Sequence, residues 1–263
     1  MKIAISGKGG VGKTLLASLL SKLFSQSSYS VIAIDADPDA NLAAALGFPD
    51  PEKVVPISEM SDLIEERTGA KPGQSAPFYK LNPKVDDIPD KYALKQDGIR
   101  LMRMGRIKKG GAGCYCPENS MLQALMNHLM IARDEVVILD MEAGLEHFGR
   151  GTASMVDKLI VVVEPGRRSL ETALNIRKLA AEIGIKNIAV VGNKVRNESD
   201  REFLIENLPD FHFMGFIPYD QAVVEADQAN MSPLDSSPQV RMAVEEIYRD
   251  LVASTEKTAG ARL

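Results

Sequence analysis

The chain has 263 residues, of which 45% are hydrophobic and 25% charged, and this composition is typical of a globular α/β protein with a sizeable core. A net charge of -5 argues against a protein that coats nucleic acid, because such a surface needs an excess of lysine and arginine. Met1 leads directly into a strand-like run, without the features of a signal peptide or a bilayer span, so we expect a cytoplasmic protein that is not bound to a membrane.

Short β-branched runs alternate with helical patterns along the chain. Strands are predicted at Lys2 to Ser6, Ser30 to Asp35, Gly98 to Met104, Glu135 to Asp140, Lys158 to Glu164, Asn187 to Lys194 and Phe211 to Pro218. Helices are predicted at Lys13 to Gln26, Glu118 to Ile131, Leu170 to Ile183 and Gln239 to Ala253. Nearly continuous apolar strands between helices indicate one α/β domain over residues 1–253, with a mostly parallel sheet covered by helices on both faces.

Two stretches interrupt this alternation. Residues 69–97 are rich in proline, glycine and charge, which predicts an irregular excursion from the edge of the sheet. Residues 254–263 have no periodicity, and we expect them to form a flexible tail.

The segment Gly7 to Thr14, "GKGGVGKT", fits the P-loop pattern G-x-x-x-x-G-K-S/T and stands between a predicted strand and a predicted helix. Glycines let backbone N–H groups surround a phosphate, and the helix N-terminus favours the same anion. The lysine should reach the β- and γ-phosphates, and the threonine hydroxyl should bind Mg²⁺. We therefore expect a P-loop NTPase whose phosphate contacts come from Gly9, Gly10, Val11, Gly12, Lys13 and Thr14.

Lys8 is an additional lysine near the start of this loop. The pattern "KGGVGKT" resembles the deviant Walker A motif of the MinD, ParA, ArsA and nitrogenase iron-protein superfamily. The resemblance implies a homodimer in which Lys8 reaches the nucleotide of the partner subunit. A charge supplied in this way acts as an arginine finger does, and such fingers raise the rate roughly 10³- to 10⁵-fold.

Acidic residues follow the second predicted strand in "DADPDANL", at the sheet edge where open parallel sheets bind ligands. Similarity to the first switch of the superfamily implies that Asp37 orients or activates the attacking water. Asn41 is a further candidate for the magnesium shell. Asp35 and Asp39 fit helix-capping or surface positions equally well, so we place them outside the site.

The run "EVVILDMEAGLEH" is an apolar strand that ends in Asp140, which is the Walker B pattern, and its carboxylate should order Mg²⁺ or the waters around it. Gly144 allows the following loop to rearrange around a γ-phosphate. A lone histidine beside such a switch is more often structural than a metal ligand, and we assign His147 accordingly.

The base-binding residues are expected at the ends of the last two strands. Asn193, in "VVGNKV", has an amide that can pair with adenine, and the family resemblance supports this role. Arg196 stands where guanine-reading NKxD motifs have aspartate, which favours ATP over GTP. In "FIPYD", Pro218 and Tyr219 should flank the base.

Cys114 and Cys116 are the only cysteines, and they lie in "KGGAGCYCPEN". A Cys-x-Cys disulfide would be strained, and two thiolates do not complete a four-coordinate zinc site. If a twofold axis passes near the pair, two subunits supply four thiolates to one shared ion. Tetrahedral sulfur coordination suits zinc and planar sulfur coordination suits nickel, so the ion stays open.

The segments "KKGGAGCYCPENSMLQAL" and "VILDMEAGLEHFGRGTA", together with the P-loop, resemble the CooC family of ATPases that assist nickel insertion into carbon monoxide dehydrogenase. The resemblance runs from Lys2 to about Tyr219. It implies ATP hydrolysis with Mg²⁺, a homodimer that depends on nucleotide or metal, and Cys114 and Cys116 as shared ligands of Ni²⁺ or Zn²⁺. The implied partner is carbon monoxide dehydrogenase, including the enzyme coupled to acetyl-CoA synthase.

Two other functions compete with this one. A redox carrier resembling nitrogenase iron protein could hold an iron–sulfur cluster on four cysteines, although its cysteines lie far apart in sequence whereas these are nearly adjacent. A MinD- or ParA-like positioning ATPase would need a basic face or a basic amphipathic C-terminal helix, and "VRMAVEEIYRDLVAS" carries charges of both signs.

Overall fold

A twisted sheet, parallel except at one edge, organises the chain in the computed structural model, which describes residues 1–72, 78–105, 117–131, 135–145, 148, 153, 155–229 and 236–260. Its strands are β1 (Lys2–Gly7), β2 (Val31–Ala36), β3 (Leu94–Gln96), β4 (Ile99–Arg103), β5 (Val136–Met141), β6 (Lys158–Val163), β7 (Ile188–Val195) and β8 (His212–Pro218). They lie in the order β3-β4-β2-β5-β1-β6-β7-β8. Every strand predicted from the sequence is confirmed, and β3 is an addition.

Helices connect the strands. They are α1 (Lys13–Gln26), α2 (Leu42–Leu46), α3 (Ser61–Thr68), α4 (Ile88–Tyr92), α5 (Pro117–Ile131), α6 (Arg167–Ile183), α7 (Glu198–Asn207), α8 (Gln221–Gln228) and α9 (Pro238–Gly260), with short 3₁₀ turns at Pro51–Lys53 and Ile57–Glu59. The four predicted helices are confirmed. None of the described helices combines the length and the hydropathy needed to cross a bilayer.

Apolar side chains leave the central strands on both faces, because alternate residues of a strand point to opposite sides of the sheet. In β1, Ile3 and Ile5 join the core layer formed with α1, α2 and α9, whereas Ala4 joins the layer formed with α3, α5, α6 and α7. The predicted arrangement, one α/β domain with helices on both faces, is confirmed.

The C-terminal helix packs through one continuous apolar stripe. Val240, Val244, Ile247 and Leu251 recur at helical spacing and are fully buried against the layer that includes α1 and β8. The helix ends at Gly260, seven residues beyond the predicted Ala253, and the expectation of a flexible tail over residues 254–263 stays a prediction.

The excursion at residues 69–97 lies at the sheet edge, as predicted, but it is not wholly irregular. It contains α4 and the edge strand β3, which pairs antiparallel with β4. The side chains of Val85 and Ile88 enter the core, which fixes the segment to the sheet. The prediction of an irregular excursion is therefore wrong for α4 and β3, whose few residues are too short to produce a periodic pattern.

The two edge strands of the sheet are both unsuited to regular extension. β3 has only three residues, and its Leu94 and Lys95 are exposed. At the opposite edge, β8 pairs with β7 through register shifts at Val190/Val191 and Gly192/Val195.

Strand order places several loops at one edge of the sheet. β1 lies between β5 and β6, although these strands are distant from it in sequence. The carboxyl ends of β1, β2, β5 and β6 therefore converge, which is where open α/β sheets bind ligands.

Candidate functional site

The P-loop joins β1 to α1 and exposes its backbone at the carboxyl edge. Gly12 is the residue before α1 and has a left-handed backbone, with φ of 97°, where a side chain would overlap Asn193. Gly9 and Gly10 are exposed, and the positions that their Cβ atoms would fill are open space. This open backbone next to a helix N-terminus fits an anionic phosphate group.

Lys13 is the buried cation of the loop, with only 6% of its surface exposed. Its ammonium group lies 3.6 Å from a carboxylate oxygen of Asp37 and 3.5 Å from the backbone oxygen of Lys8. The structure thus brings together two of the predicted catalytic residues, Lys13 and Asp37. Bound phosphates would compete with Asp37 for the ammonium group of Lys13, and the role of Asp37 toward the attacking water stays a prediction.

Thr14 and Asp140 meet where the magnesium site was predicted. The Thr14 hydroxyl donates a hydrogen bond of 2.7 Å to Asp140 Oδ2, whereas Oδ1 of Asp140 is buried without a hydrogen-bond donor from the described residues. Burial raises the pKa of Asp140 to about 7, and the nearby Asp35 adds to this. A hydroxyl and a buried carboxylate with an unmatched oxygen fit Mg²⁺, which prefers oxygen ligands.

Asp35 is a second buried carboxylate that the sequence did not place in the site. It lies opposite Asp140 in the β2–β5 register and accepts hydrogen bonds from the backbone N–H groups of Leu42, at 3.0 Å, and Asp37, at 3.2 Å. Burial raises its pKa to about 6, although these two hydrogen bonds oppose the shift. Asp35, at the end of β2, thus accepts from the first N–H of α2, whose N-cap residue is Asn41, and its proximity to Asp140 was missed.

The rest of the first switch is more exposed. Asp39 is exposed and precedes α2, and its backbone N–H donates to Asp37 Oδ1 at 3.0 Å. Asn41 is exposed just before α2, and its side chain does not cap the helix. A contact of Asn41 with the magnesium shell stays a prediction.

Asn193 lies directly against the P-loop. Its amide donates to the backbone oxygen of Val11 at 2.7 Å, and its side-chain oxygen accepts from the backbone N–H of Lys194 at 2.8 Å. Only 2% of the residue is exposed. Reading of adenine by Asn193 stays a prediction, and it requires the amide to share or exchange these bonds.

The two other predicted base-binding residues lie next to the end of β7. Pro218 pairs with Val195 in the β7–β8 register, and the backbone N–H of Tyr219 donates to Val195 O at 3.0 Å. Tyr219 is 49% exposed, and its hydroxyl donates to Gln221 Oε1 at 3.0 Å, so contact of Pro218 and Tyr219 with the base stays a prediction. Arg196, nearby, forms a two-point ion pair with Asp200 at 2.8 and 3.0 Å.

Lys8 pairs with a residue that the sequence did not single out. Its ammonium group lies 3.3 Å from Glu164 Oε1, and Lys194 Nζ lies 3.2 Å from Glu164 Oε2. Glu164 follows β6, so its proximity to the P-loop depends on the β1–β6 pairing, which local sequence patterns do not reveal. A charged residue directly after a buried strand was the available signal.

Three residues named from the sequence lie outside the described part of the chain: Cys114, Cys116 and His147. Among the described residues, no group of three or more histidine, cysteine, aspartate or glutamate side chains could hold a metal ion. The shared-thiolate site therefore stays a prediction.

Comparison with known proteins agrees with this geometry. Residues 2–234 match the CobQ/CobB/MinD/ParA nucleotide-binding domain family. The carbon monoxide dehydrogenase accessory protein CooC of Rhodospirillum rubrum is 44% identical over 262 residues, which cover 99% of each chain. The chain belongs to the CooC family. This CooC-family protein is thus a P-loop ATPase of the MinD/ParA superfamily.

Other relatives of this CooC-family chain extend the likeness. An uncharacterised ATP-binding protein of Methanocaldococcus jannaschii is 47% identical over 255 residues, covering 96% of this chain and 98% of the relative. The MinC:MinD cell division complex of Aquifex aeolicus contains a chain with a TM-score of 0.69 at 19% identity, and 96% of each chain is covered. A ParA-family ATPase from Chlorobium tepidum has a TM-score of 0.69 at 18% identity, with 94% and 98% coverage. The last two likenesses establish the fold.

Proposed function

We propose that this protein is an ATP-hydrolysing nickel metallochaperone that assists nickel insertion into carbon monoxide dehydrogenase. The observation that carries the proposal is the 44% identity to the accessory protein CooC over 99% of the chain, a match that spans the Cys114–Cys116 segment. The converging P-loop, Asp37 and Asp140 supply the ATPase part of this function.

In this proposal the chain's own residues position the hydrolysis reaction. Lys13 neutralises the β- and γ-phosphates, and Asp37, released from Lys13, orients the attacking water. The water forms a bond to the γ-phosphorus while the bond to the β,γ-bridging oxygen breaks, giving ADP and phosphate. Thr14 and Asp140 would hold Mg²⁺, which neutralises charge on the phosphate oxygens when bound.

In the proposed dimer, each chain supplies a lysine to the nucleotide of its partner and two thiolates to a shared metal site. Lys8 of each subunit would reach the partner's nucleotide and stabilise the charge of the transition state. The same twofold symmetry would bring together Cys114 and Cys116 from both subunits, giving four thiolates for one nickel ion as cargo. ATP binding would close this dimer, and hydrolysis would reopen it and release the ion to the dehydrogenase.

The proposal is tested by activating nickel-free carbon monoxide dehydrogenase with the purified protein, Ni²⁺ and ATP. We expect ATP to accelerate activation, and we expect Cys114→Ser and Cys116→Ser to remove this effect. Tyr115→Phe, between the two cysteines, is the matched control and should retain it. Activation that is equally fast without the protein or without ATP would refute the chaperone function.

Metal content tests the shared site separately. Protein purified without oxygen should bind one nickel or zinc ion for every two chains, and Cys114→Ser should reduce this to near zero. One ion in every single chain would contradict sharing. A broad visible absorption band typical of an iron–sulfur cluster would instead favour a redox carrier.

A further inference from the structure

Glu164 lies between the P-loop and the end of β7 at the carboxyl edge of the sheet. It follows β6, and β6 pairs with β1 through Gly7 and Val162 and with β7 through Val163 and Gly192. The P-loop after β1 and the end of β7 therefore lie on either side of Glu164. Its backbone N–H donates to the hydroxyl of the buried Ser169 at 3.0 Å, which fixes the residue at the start of α6.

The carboxylate of Glu164 holds one lysine with each oxygen. Oε1 lies 3.3 Å from Lys8 Nζ, and Oε2 lies 3.2 Å from Lys194 Nζ. Lys194 also donates to the backbone oxygen of Gly10 at 2.6 Å, and it has a left-handed backbone with φ of 57°. Glu164 and Lys194 thus bind the P-loop together, one through Lys8 and the other through Gly10.

In this arrangement the ammonium group of Lys8 is paired within its own chain. An ammonium group held by Glu164 cannot at the same time reach a phosphate in another subunit, so assembly must exchange one anion for the other. The exchange is feasible because the side chains of Lys8 and Glu164 are 37% and 24% exposed, and ion pairs that water reaches are weak. After Lys8 leaves, Glu164 keeps Lys194 as a partner, so its charge is not left uncompensated.

We propose that Glu164 is a positioning residue that retains Lys8 within the single chain and thereby raises the protein concentration needed for ATP-dependent dimerisation. The inference rests on the proposed dimer in which Lys8 acts on the partner's nucleotide. It adds a residue that opposes assembly until ATP is bound, because the γ-phosphate of the partner's ATP would offer Lys8 a more highly charged anion than the carboxylate of Glu164.

Neutralising Glu164 should therefore favour the dimer. Each dimer releases two Lys8–Glu164 pairs, and an exposed pair is worth roughly a factor of three in an equilibrium constant. We expect Glu164→Gln to lower the dissociation constant of the ATP-bound dimer about tenfold. The ATPase rate per chain at saturating protein concentration should stay unchanged, since in the proposed dimer Lys8 has left Glu164 and acts on the nucleotide without it.

The experiment measures the ATPase rate per chain against protein concentration, and the dimer fraction by sedimentation with a non-hydrolysable ATP analogue. The variants are Glu164→Gln and Glu164→Asp. Aspartate keeps the negative charge, but its shorter side chain holds the carboxylate farther from Lys8. This variant should therefore also dimerise at a lower protein concentration than the wild type. Glu171→Gln removes an exposed carboxylate from the adjacent helix and is the matched control, which should leave the curve in place.

The outcomes separate this inference from the function on which it rests. If the wild-type protein dimerises and Glu164→Gln leaves the dissociation constant of the dimer unchanged or raises it, the role of Glu164 alone is overturned. If Glu164→Gln lowers the ATPase rate per chain at saturating protein concentration, Glu164 takes part in the reaction or in folding, and the proposed positioning role is also overturned. A wild-type protein whose rate per chain never depends on concentration, and which stays monomeric with ATP, removes the proposed dimer and this inference together.

Discussion

Replacing Asp140 with asparagine should stabilise the nucleotide-free protein at pH 8 while it removes ATPase activity. Asp140 is fully buried, one of its carboxylate oxygens has no donor among the described residues, and its pKa is raised from 3.8 to about 7. Because burial disfavours the ionised form, the folded protein holds this proton over a pH range in which the unfolded chain has released it.

The sign and size of the effect follow from this difference. A raised pKa means that the wild-type free energy of unfolding falls as the pH rises from about 4 to about 7. A difference of about 3 between the two pKa values corresponds to about 4 kcal/mol, at about 1.4 kcal/mol for each pKa unit. Asparagine avoids this cost but leaves an amide N–H unpaired, which costs about 1–3 kcal/mol, so we expect a gain of about 1–3 kcal/mol at pH 8 and none at pH 4.

Urea unfolding of the nucleotide-free protein at several pH values, with a chelator present, measures this gain. Asp39→Asn, at an exposed position before α2, is the control and should not alter the pH dependence. Mg²⁺ and ATP should reverse the order, because the wild type gains more from binding. A variant that is no more stable than the wild type at pH 8, or whose gain is the same at every pH, would refute the reasoning.

Three further substitutions test other parts of the structure. Lys8→Ala should lower the ATPase rate roughly 10³-fold or more while nucleotide binding is retained, which steady-state kinetics and a binding titration would show. Gly12→Ala should lower nucleotide affinity at least about tenfold, measured by calorimetry, because the new methyl group overlaps Asn193 beside the P-loop. Asp87→Asn should lower the melting temperature at pH 7, since Arg67 holds the pKa of Asp87 far below its usual range, and the loss should shrink progressively as the pH falls below about 4 towards that lowered pKa.

Each of these has a control or a contradicting result. Unchanged turnover in Lys8→Ala would remove the argument for a lysine acting across the dimer. Gly47→Ala also places a side chain on a left-handed backbone but meets no neighbour, so it should cost about 1–2 kcal/mol of stability and leave nucleotide binding intact. A loss of melting temperature in Asp87→Asn that is as large near pH 2 as at pH 7 would contradict the ion-pair explanation.

Local patterns were sufficient for much of the fold and for part of the site. The parallel strands are continuous apolar runs, and the P-loop and Asp140 follow such runs directly, so strand, loop and helix could be identified without knowing the neighbours. The three residues of β3 carry no comparable pattern, and their strand character comes from pairing with β4.

Contacts between distant segments could not be predicted in this way. Glu164 reaches Lys8 only because β6 lies beside β1, and Asp35 faces Asp140 only because β5 returns between β1 and β2. Asn193 was predicted to bind adenine, and in the structure its amide donates a hydrogen bond to the backbone oxygen of Val11. In each case the missing information was the order of strands in the sheet.

The two edges of the sheet constrain how copies of this chain can associate. A strand of another chain cannot easily pair with β3, because β3 is short, is antiparallel to its neighbour β4 and exposes Lys95. The bulged pairing of β8 interrupts the regular ladder at the other edge. Edge-to-edge polymerisation through the described sheet is thereby disfavoured, so any association of two copies would use other surfaces than the sheet edges.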